Sequence, residues 1–124
     1  LRTGFTYSGH PSACAAGVAC AAVTEEAGLL DRAREIGARL GAGLGSLESD
    51  DLATEVRGEG AIWAVDAPDS TGSAAEVADR MRSAGVIVRP IGDSTIACCP
   101  PLVVTDEEVD RIVDAYAGAL GMRG

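Results

Sequence analysis

The sequence predicts an α+β fold in which a small, mostly antiparallel sheet has helices packed on one face. Two pairs of short runs with β-strand character, 52–57 with 61–67 and 86–88 with 94–99, are each joined by a turn that contains glycine. Segments with apolar residues at helical spacing lie before, between and after these pairs. The resulting order is helix, helix, strand, strand, helix, strand, strand, helix, which suits a sheet covered by helices on a single side.

The first predicted helix, from Ser12 to about Ala27, is rich in alanine and has small residues on nearly every face. It follows Pro11, which suits the first helical position because its missing N–H would have no partner there. Small residues allow other backbones to approach closely, so we expect this helix to be buried on several sides. The pattern changes to amphipathic elements near Gly28, where we place a domain boundary.

The later helices have clear signals in the sequence. The second helix has an apolar stripe but also three glycines, Gly37, Gly41 and Gly43, so packing rather than intrinsic propensity must stabilise it. The third and fourth helices each open with a capping box, in which a Ser or Thr and the Glu three residues later bind each other's backbone N–H groups. The apolar stripe of the second helix consists of Leu30, Ala33, Ile36, Leu40, Leu44 and Leu47. The capping boxes are Ser73 with Glu76 in the third helix and Thr105 with Glu108 in the fourth. The buried stripe expected in the fourth helix consists of Val109, Ile112, Val113, Tyr116 and Leu120.

The charge balance limits the kinds of partner. The chain has 10 basic residues, all of them arginine, and 19 acidic residues, which give a formal net charge of −9. The resulting field repels phosphate backbones and anionic lipids, so we expect no nucleic acid and no membrane as partners. No apolar run approaches the roughly 20 residues that span a bilayer, and no signal peptide is recognisable. Because the first residue is Leu1 rather than Met, we expect the chain to be a truncated piece of a longer polypeptide.

The four cysteines do not have the spacing of a metal site. Cys14 and Cys20 form no C-x-x-C motif, and the adjacent Cys98 and Cys99 cannot easily direct both thiolates at one ion. We therefore expect no metal site and predict buried free thiols in a reducing compartment, which favours the cytoplasm.

The polar turn before the first helix is a candidate anion site. Thr6, Tyr7 and Ser8 lead into a helix start, where unpaired N–H groups and the positive end of the helix dipole favour a phosphate. The residues alone fit an ordinary capped turn better. His10, the only histidine, stands directly before the helix-starting proline, so we expect it to cap the helix rather than to act in catalysis.

Arg89 is a candidate carboxylate-binding residue. We expect it to end a strand of three β-branched residues at a sheet edge, and the following Pro90 fixes its backbone direction. A guanidinium in this position can bind a carboxylate through two parallel hydrogen bonds. Position alone favours a solvated or salt-bridged arginine, so the residues by themselves leave both roles open.

Several linked motifs resemble those of the class III pyridoxal-phosphate aminotransferases. They are, in order, FTYSGHP at 5–11 with ACAA at 13–16, VRGEG at 56–60, VRPIG at 88–92 and PPLV at 100–103. Their order and spacing are similar to the family's from about residue 4 to residue 116. The turn before the first helix resembles ω-amino acid:pyruvate and related amine transaminases more than glutamate-semialdehyde aminomutases or acetylornithine enzymes. One departure is Trp63, which lies in a strand that is usually smaller and contains glycine in the family.

The resemblance implies that residues 1–27 are the end of the large domain and that residues 28–124 form the small C-terminal domain of a fold-type I subunit. It implies pyridoxal 5'-phosphate as the cofactor, in an active site at the interface of a homodimer. There Thr6, with the backbone around Phe5, would reach across to the cofactor phosphate held mainly by the partner subunit. Arg89 matches the family's mobile arginine, which binds the α-carboxylate of the substrate and swings away for uncharged amines.

The implied reaction moves an amino group between an amine or ω-amino acid and a 2-oxo acid such as pyruvate. The family's Schiff-base lysine has no counterpart here, because the chain contains no lysine, and the segment with the aspartate that pairs with the pyridinium nitrogen is missing too. We therefore expect no catalytic residue within 1–124, no transaminase activity of the isolated chain, and a missing large domain that completes the enzyme. The alternative is a free-standing, non-catalytic α+β module that binds a ligand or a partner.

Overall fold

The structure is a computed structural model that describes residues 4–121, and these contain the helices and strands in the predicted order. The helices are α1 (Pro11–Glu26), α2 (Leu29–Ser49), α3 (Ala74–Ser83) and α4 (Asp106–Gly121). The strands are β1 (Glu55–Glu59), β2 (Ile62–Asp66), β3 (Arg89–Ile91) and β4 (Thr95–Cys98), and a short 3-10 helix spans Asp69–Thr71. By α-carbon contacts the chain divides into two compact units between Asp31 and Arg32.

The strands pair antiparallel in the order β1-β2-β4-β3, so β1 and β3 are the edge strands. One face of the sheet is buried and forms the core with α2, α3 and α4. The largest fully buried side chains are Tyr116, Ile36, Leu40, Leu44, Met81, Ile96, Leu120, Val65, Val77 and Val109. The predicted α+β fold, with helices on one face of an antiparallel sheet, is therefore confirmed.

Tyr116 places a polar atom inside this core. Its hydroxyl donates a hydrogen bond to the carbonyl of Ile96 at 3.0 Å, so the buried oxygen is satisfied by a strand of the sheet. Burial raises the pKa of the Tyr116 hydroxyl far above its usual value. This side chain therefore stays neutral and connects α4 to β4.

The expected helix starts are confirmed. In α3, the Ser73 N–H donates to the Glu76 carboxylate at 2.7 Å and the Glu76 N–H donates to the Ser73 hydroxyl at 3.4 Å. In α4, the corresponding bonds of Thr105 and Glu108 are 2.9 and 3.2 Å long. His10 caps α1, because its Nδ1 accepts a bond from the Ala13 N–H at 3.4 Å. All three helix starts can be predicted from local sequence, because the residues of each cap lie within one helical turn.

The expected strand boundaries were partly wrong. β1 runs through Gly58 and Glu59, so the first hairpin turns at Gly60 and Ala61, and Gly60 takes the left-handed φ of 51°. Residues 86–88 are not a strand, and β3 instead includes Pro90. A proline is tolerated there because β3 is an edge strand, where one missing N–H need not break a ladder between two neighbours.

The glycines of α2 explain how Trp63 fits. A Cβ on Gly41 would lie 2.7 Å from the Trp63 ring, and a Cβ on Gly58 would lie 2.3 Å from the same ring. The Trp63 Nε1–H donates to the Gly60 carbonyl at 2.8 Å, so the indole is both packed and hydrogen-bonded. The departure from the family pattern at Trp63 is therefore accommodated by glycines on α2 and β1.

Two expectations about burial were not met. No residue of α1 is buried within the described chain, although we expected burial on several sides. Composition shows that a helix can be packed closely, but burial also requires a covering surface, and composition does not show which chain supplies it. In α2, Leu30 is 66% exposed because it lies in the first turn, and the buried stripe begins only at Ile36.

None of the described helices is by itself long and apolar enough to cross a membrane. By length and composition alone, α1 and α2 would pass this test only together, as a bent pair.

Candidate functional site

Arg89 is the first residue of β3, not the last residue of a preceding strand as we expected. The expected position at a sheet edge is nevertheless correct, because β3 is the outermost strand next to β4. The Arg89 side chain is exposed, and within residues 4–121 it has no hydrogen-bond or ion-pair partner. Its guanidinium is therefore available to an anion from outside the described chain.

Arg89 projects from the face of the sheet that the helices leave uncovered. Neighbouring Val88 is buried, and residues directly opposite each other in an antiparallel pair share a face. The strand register then puts Arg89 on the side opposite to the buried Val65 and Ile96. We call this side the open face; its residues in the paired strands are Glu55, Arg57, Glu59, Ile62, Ala64, Asp66, Arg89, Ile91, Thr95 and Ala97.

The open face also holds a charged cluster that the sequence did not reveal. Arg57 Nη1 and Nη2 donate to the two carboxylate oxygens of Asp66 at 2.7 and 3.2 Å, and the Thr95 hydroxyl donates to Asp66 Oδ1 at 2.5 Å. Glu55 lies 3.5 Å from Arg57. These residues come from β1, β2 and β4, so only the pairing of three strands brings them together. No spacing in the sequence gives a signal for this cluster.

Arg57 and Asp66 form the central ion pair of this cluster. The Arg57 guanidinium, followed by the Thr95 hydroxyl, holds the pKa of Asp66 below its usual value. The Asp66 side chain is only 21% exposed, which reduces the screening of the pair by water. Arg57 is consequently occupied by a carboxylate of its own chain, whereas Arg89 on the same face is not.

Acid should weaken the Arg57–Asp66 pair. Because the folded-state pKa of Asp66 is lowered, its contribution is complete above the ordinary aspartate pKa of about 3.9 and is lost as pH falls through the lower folded value. We expect this loss to be about 1 kcal/mol of the free energy of unfolding, the upper end for an ion pair near the surface. Urea unfolding at about pH 6 and about pH 2.5 measures it.

The matched variants are Asp66→Asn, which removes the titrating group, and Glu59→Gln, which removes one charge from the same face. Between the two pH values the Asp66→Asn chain should lose less stability than the wild type, and the Glu59→Gln chain should lose as much. Equal losses in all three proteins would contradict the assigned role of Asp66.

Most other described arginines are engaged within the chain. Arg32 and Arg39 of α2 pair with carboxylates of α4 at distances down to 2.8 and 2.6 Å, respectively. Arg80 donates to the carbonyls of Thr71 and Ala119. The side chains of Arg82 and Arg111 likewise have no hydrogen-bond or ion-pair partner among residues 4–121, so what distinguishes Arg89 is its place on the open face.

The turn before α1 is exposed and locally hydrogen-bonded. The Ser8 N–H donates to the Phe5 carbonyl at 2.9 Å, and the Phe5 N–H donates to the Ser8 hydroxyl at 3.2 Å. The Thr6 hydroxyl has no partner within residues 4–121, and the Phe5 side chain is 78% exposed. The turn is therefore the capped turn that the residues favoured, and it also presents a hydroxyl outward.

The cysteines differ from the expectation. Only Cys98 is buried, and burial raises the pKa of its thiol, whereas Cys14, Cys20 and Cys99 are exposed. Cys14 and Cys20 lie on α1, where the helix that we expected to be covered is not covered within this chain. The described residues contain no group of three or more His, Cys, Asp or Glu side chains arranged to hold a metal ion.

Two clefts lie elsewhere on the unit that begins at Arg32. One, of about 300 Å³, is lined by Ile87, Cys99 and Arg111 with neighbouring residues, and the other, of about 360 Å³, runs between α2 and the β1–β2 hairpin. Arg89 lines neither of them. A carboxylate bound to Arg89 would thus remain open to solvent until another surface covers the open face, because binding pockets normally enclose most of their ligand.

Comparison with known proteins identifies the family. The family model described as aminotransferase class-III matches residues 1–120. The chain belongs to the class III aminotransferases. This class III chain is 38% identical over 114 residues to an acetylornithine aminotransferase of Methanosarcina acetivorans, a match that covers 92% of the chain and 28% of that enzyme. It is 34% identical over 127 residues to the mitochondrial gamma aminobutyrate transaminase 1 of Solanum lycopersicum, covering 94% of the chain and 24% of that protein.

Solved transaminase structures have the same fold as this chain. The crystal structure of an amine transaminase from an uncultivated Pseudomonas species, in its PLP-bound form, superposes with a TM-score of 0.88 at 36% identity. That match covers all of this chain and 30% of the solved one. The class III chain thus spans about a quarter to a third of the length of the relatives it matches. Matches of this extent to aminotransferases do not favour the alternative of a free-standing, non-catalytic module.

Proposed function

We propose that this chain is the C-terminal part of a PLP-dependent aminotransferase that transfers an amino group between an amine or ω-amino acid and a 2-oxo acid such as pyruvate. The observation that best supports this is Arg89, an exposed arginine on the open face without a partner among the described residues, in a chain that matches the class III family over residues 1–120. Transaminases and amine transaminases among the matched proteins support the amino-transfer reaction.

Arg89 is proposed to bind the carboxylate of the 2-oxo acid. A guanidinium presents two N–H groups in the geometry of a carboxylate, and this bidentate pair fixes the orientation of the acceptor as well as its position. The exposed side chain on a short edge strand also leaves the guanidinium room to move aside when the substrate is an amine without a carboxylate.

Thr6, together with the backbone around Phe5, is proposed to bind the cofactor phosphate. The donor set fits this role, because a phosphate accepts hydrogen bonds from hydroxyl and N–H groups near a helix start, and the Thr6 hydroxyl is without a partner in the described chain. When bound, pyridoxal phosphate supplies the electron sink that amino transfer requires. The residues of this chain fit the phosphate end only, since no lysine is present to hold the reactive end.

The proposed assembly is a homodimer in which this chain supplies only part of each subunit. Residues 1–27 would end the large domain, residues 28–124 would form the small domain, and Thr6 would reach the phosphate held mainly by the partner subunit. The exposed α1 supports this arrangement, because a helix with no buried residue and with charges only at its end, Glu25 and Glu26, is suited to being covered by further polypeptide. Exposed thiols without disulfides support a reducing compartment such as the cytoplasm.

The proposal is tested by comparing purified 1–124 with the full-length enzyme. We expect the full-length protein to bind pyridoxal phosphate, detected by its visible absorption, and to convert pyruvate and an amine to alanine and a carbonyl compound. The isolated chain should show no turnover, because it contains no lysine. Turnover by 1–124 free of longer polypeptide, or a full-length protein with no amino-transfer activity toward any 2-oxo acid, would refute the proposal.

A further inference from the structure

We propose that Asp66 determines the acceptor selectivity of this site: by holding Arg57, it leaves Arg89 as the single arginine of the open face that can bind a substrate carboxylate. The site would then favour 2-oxo acids with one carboxylate over those with two. This inference rests on the proposed function and adds to it a specificity-determining residue that touches no substrate itself.

The two arginines share one row of the open face. The strand register aligns four residues straight across the sheet: Arg57, Ala64, Ala97 and Arg89. Three strand spacings separate the two arginines, about 14 Å between their α-carbons. Between them in this row stand only Ala64 and Ala97, whose side chains are single methyl groups.

This arrangement would suit a dicarboxylate if both guanidiniums were available. Each end of the ligand could bind one arginine, with the chain of the ligand lying over Ala64 and Ala97. Asp66 opposes this, because it already accepts hydrogen bonds from both terminal nitrogens of Arg57 and neutralises the charge of that guanidinium. The Thr95 hydroxyl holds Asp66 in place, and Glu55 at 3.5 Å adds a second negative charge next to Arg57.

Charge repulsion also disfavours a substrate with two carboxylates. A second substrate carboxylate near Arg57 would approach the side-chain carboxylates of Asp66 and Glu55. Displacing Asp66 from Arg57 would leave a partly buried carboxylate without its partner, which is costly. A single carboxylate at Arg89 meets neither obstacle, since Arg89 lies beyond the two alanines and has no counterion within residues 4–121.

The test is the ratio of kcat/KM for 2-oxoglutarate to kcat/KM for pyruvate in the full-length enzyme, with one amine donor. The wild type should prefer pyruvate. Asp66→Asn frees Arg57 and should raise the ratio about tenfold, the effect of one charge-assisted hydrogen-bonded contact. The double variant Asp66→Asn with Arg57→Met should return the ratio to the wild-type value, because the gain requires the freed arginine.

Two further variants separate this role from a structural one. Glu59→Gln removes the same charge from the same face, on the neighbouring strand β1, and its ratio should equal that of the wild type. Arg57→Met alone should also leave the ratio unchanged, because Arg57 is already occupied, so a changed ratio in this variant can overturn the inference even if Asp66→Asn does not fold. A changed ratio in Arg57→Met, an unchanged ratio in a folded Asp66→Asn, or a wild type that prefers 2-oxoglutarate would each overturn the inference. Absence of amino transfer to either acid in the wild type would instead refute the proposed function.

Discussion

Replacing Arg89 with alanine in the full-length enzyme is expected to lower kcat/KM for 2-oxo acids about 100-fold, because two charge-assisted hydrogen bonds of about 1.5 kcal/mol each are lost. The value for an amine donor without a carboxylate should change little, since such a substrate makes no contact with the guanidinium. The two half-reactions can be measured separately by single-turnover kinetics. The acceptor half-reaction should be slow in the variant, and the amine half-reaction should keep its wild-type rate.

Arg82 provides a matched control for this prediction. It is an exposed arginine in the last turn of α3, outside the strands of the open face, so Arg82→Ala makes the same change in charge and size elsewhere. Its activity should equal that of the wild type with both substrates. Arg89→Lys should recover only part of the acceptor activity, because an ammonium cannot form the bidentate pair. Equal losses for amine and 2-oxo acid in Arg89→Ala would show that the residue does not bind the carboxylate.

Replacing Gly37 with alanine should destabilise the chain by about 3 kcal/mol, the upper range for overpacking in a tight core. A Cβ at this position would lie 2.4 Å from the carbonyl oxygen of Gly60 and 2.8 Å from its carbonyl carbon. Both atoms belong to the backbone of the hairpin turn, so neither can rotate away as the end of a side chain could. The free energy of unfolding, measured by urea titration, tests this prediction.

Gly45 is the control because it lies on the same helix with nothing within 4 Å of its added Cβ. There the helix propensity of alanine should dominate, and Gly45→Ala should stabilise the chain by about 0.5–1 kcal/mol. Opposite signs for the two variants would establish that α2 and the hairpin pack at the distance described. Similar effects of both substitutions would mean that Gly37 is not in close contact with Gly60.

The parts of the fold that were predictable are those whose causes are local. Ser73 and Glu76 lie within one helical turn and define a helix start by themselves, and His10 does the same next to its proline. The strand ends were less predictable, because β-branched residues at 86–88 favour a strand whereas pairing with β4 begins only at Arg89. The β propensity of residues 86–88 depends on those residues alone, whereas the start of a strand depends on where the partner strand β4 pairs with it.

The candidate site residues on the open face were likewise predictable only where their signal is local in the sequence. Arg89 could be singled out from the sequence because it belongs to a motif and precedes a proline. The cluster of Arg57, Asp66 and Thr95 could not, because its members lie on three strands and meet only through the register of the sheet. The exposure of Cys14 on α1 was missed for a related reason, since burial depends on a second surface that composition does not specify.

The short strand that bears Arg89 has a consequence for the behaviour of the protein in concentrated solution. A long, regular sheet edge offers a row of N–H and C=O groups on which strands of other molecules can assemble into aggregates. β3 has 3 residues, and one of them is Pro90, which lacks an N–H. Strand β3 is thus a poor template for intermolecular β-pairing. Its arginine can be accessible to small anions without exposing a sheet edge that promotes aggregation.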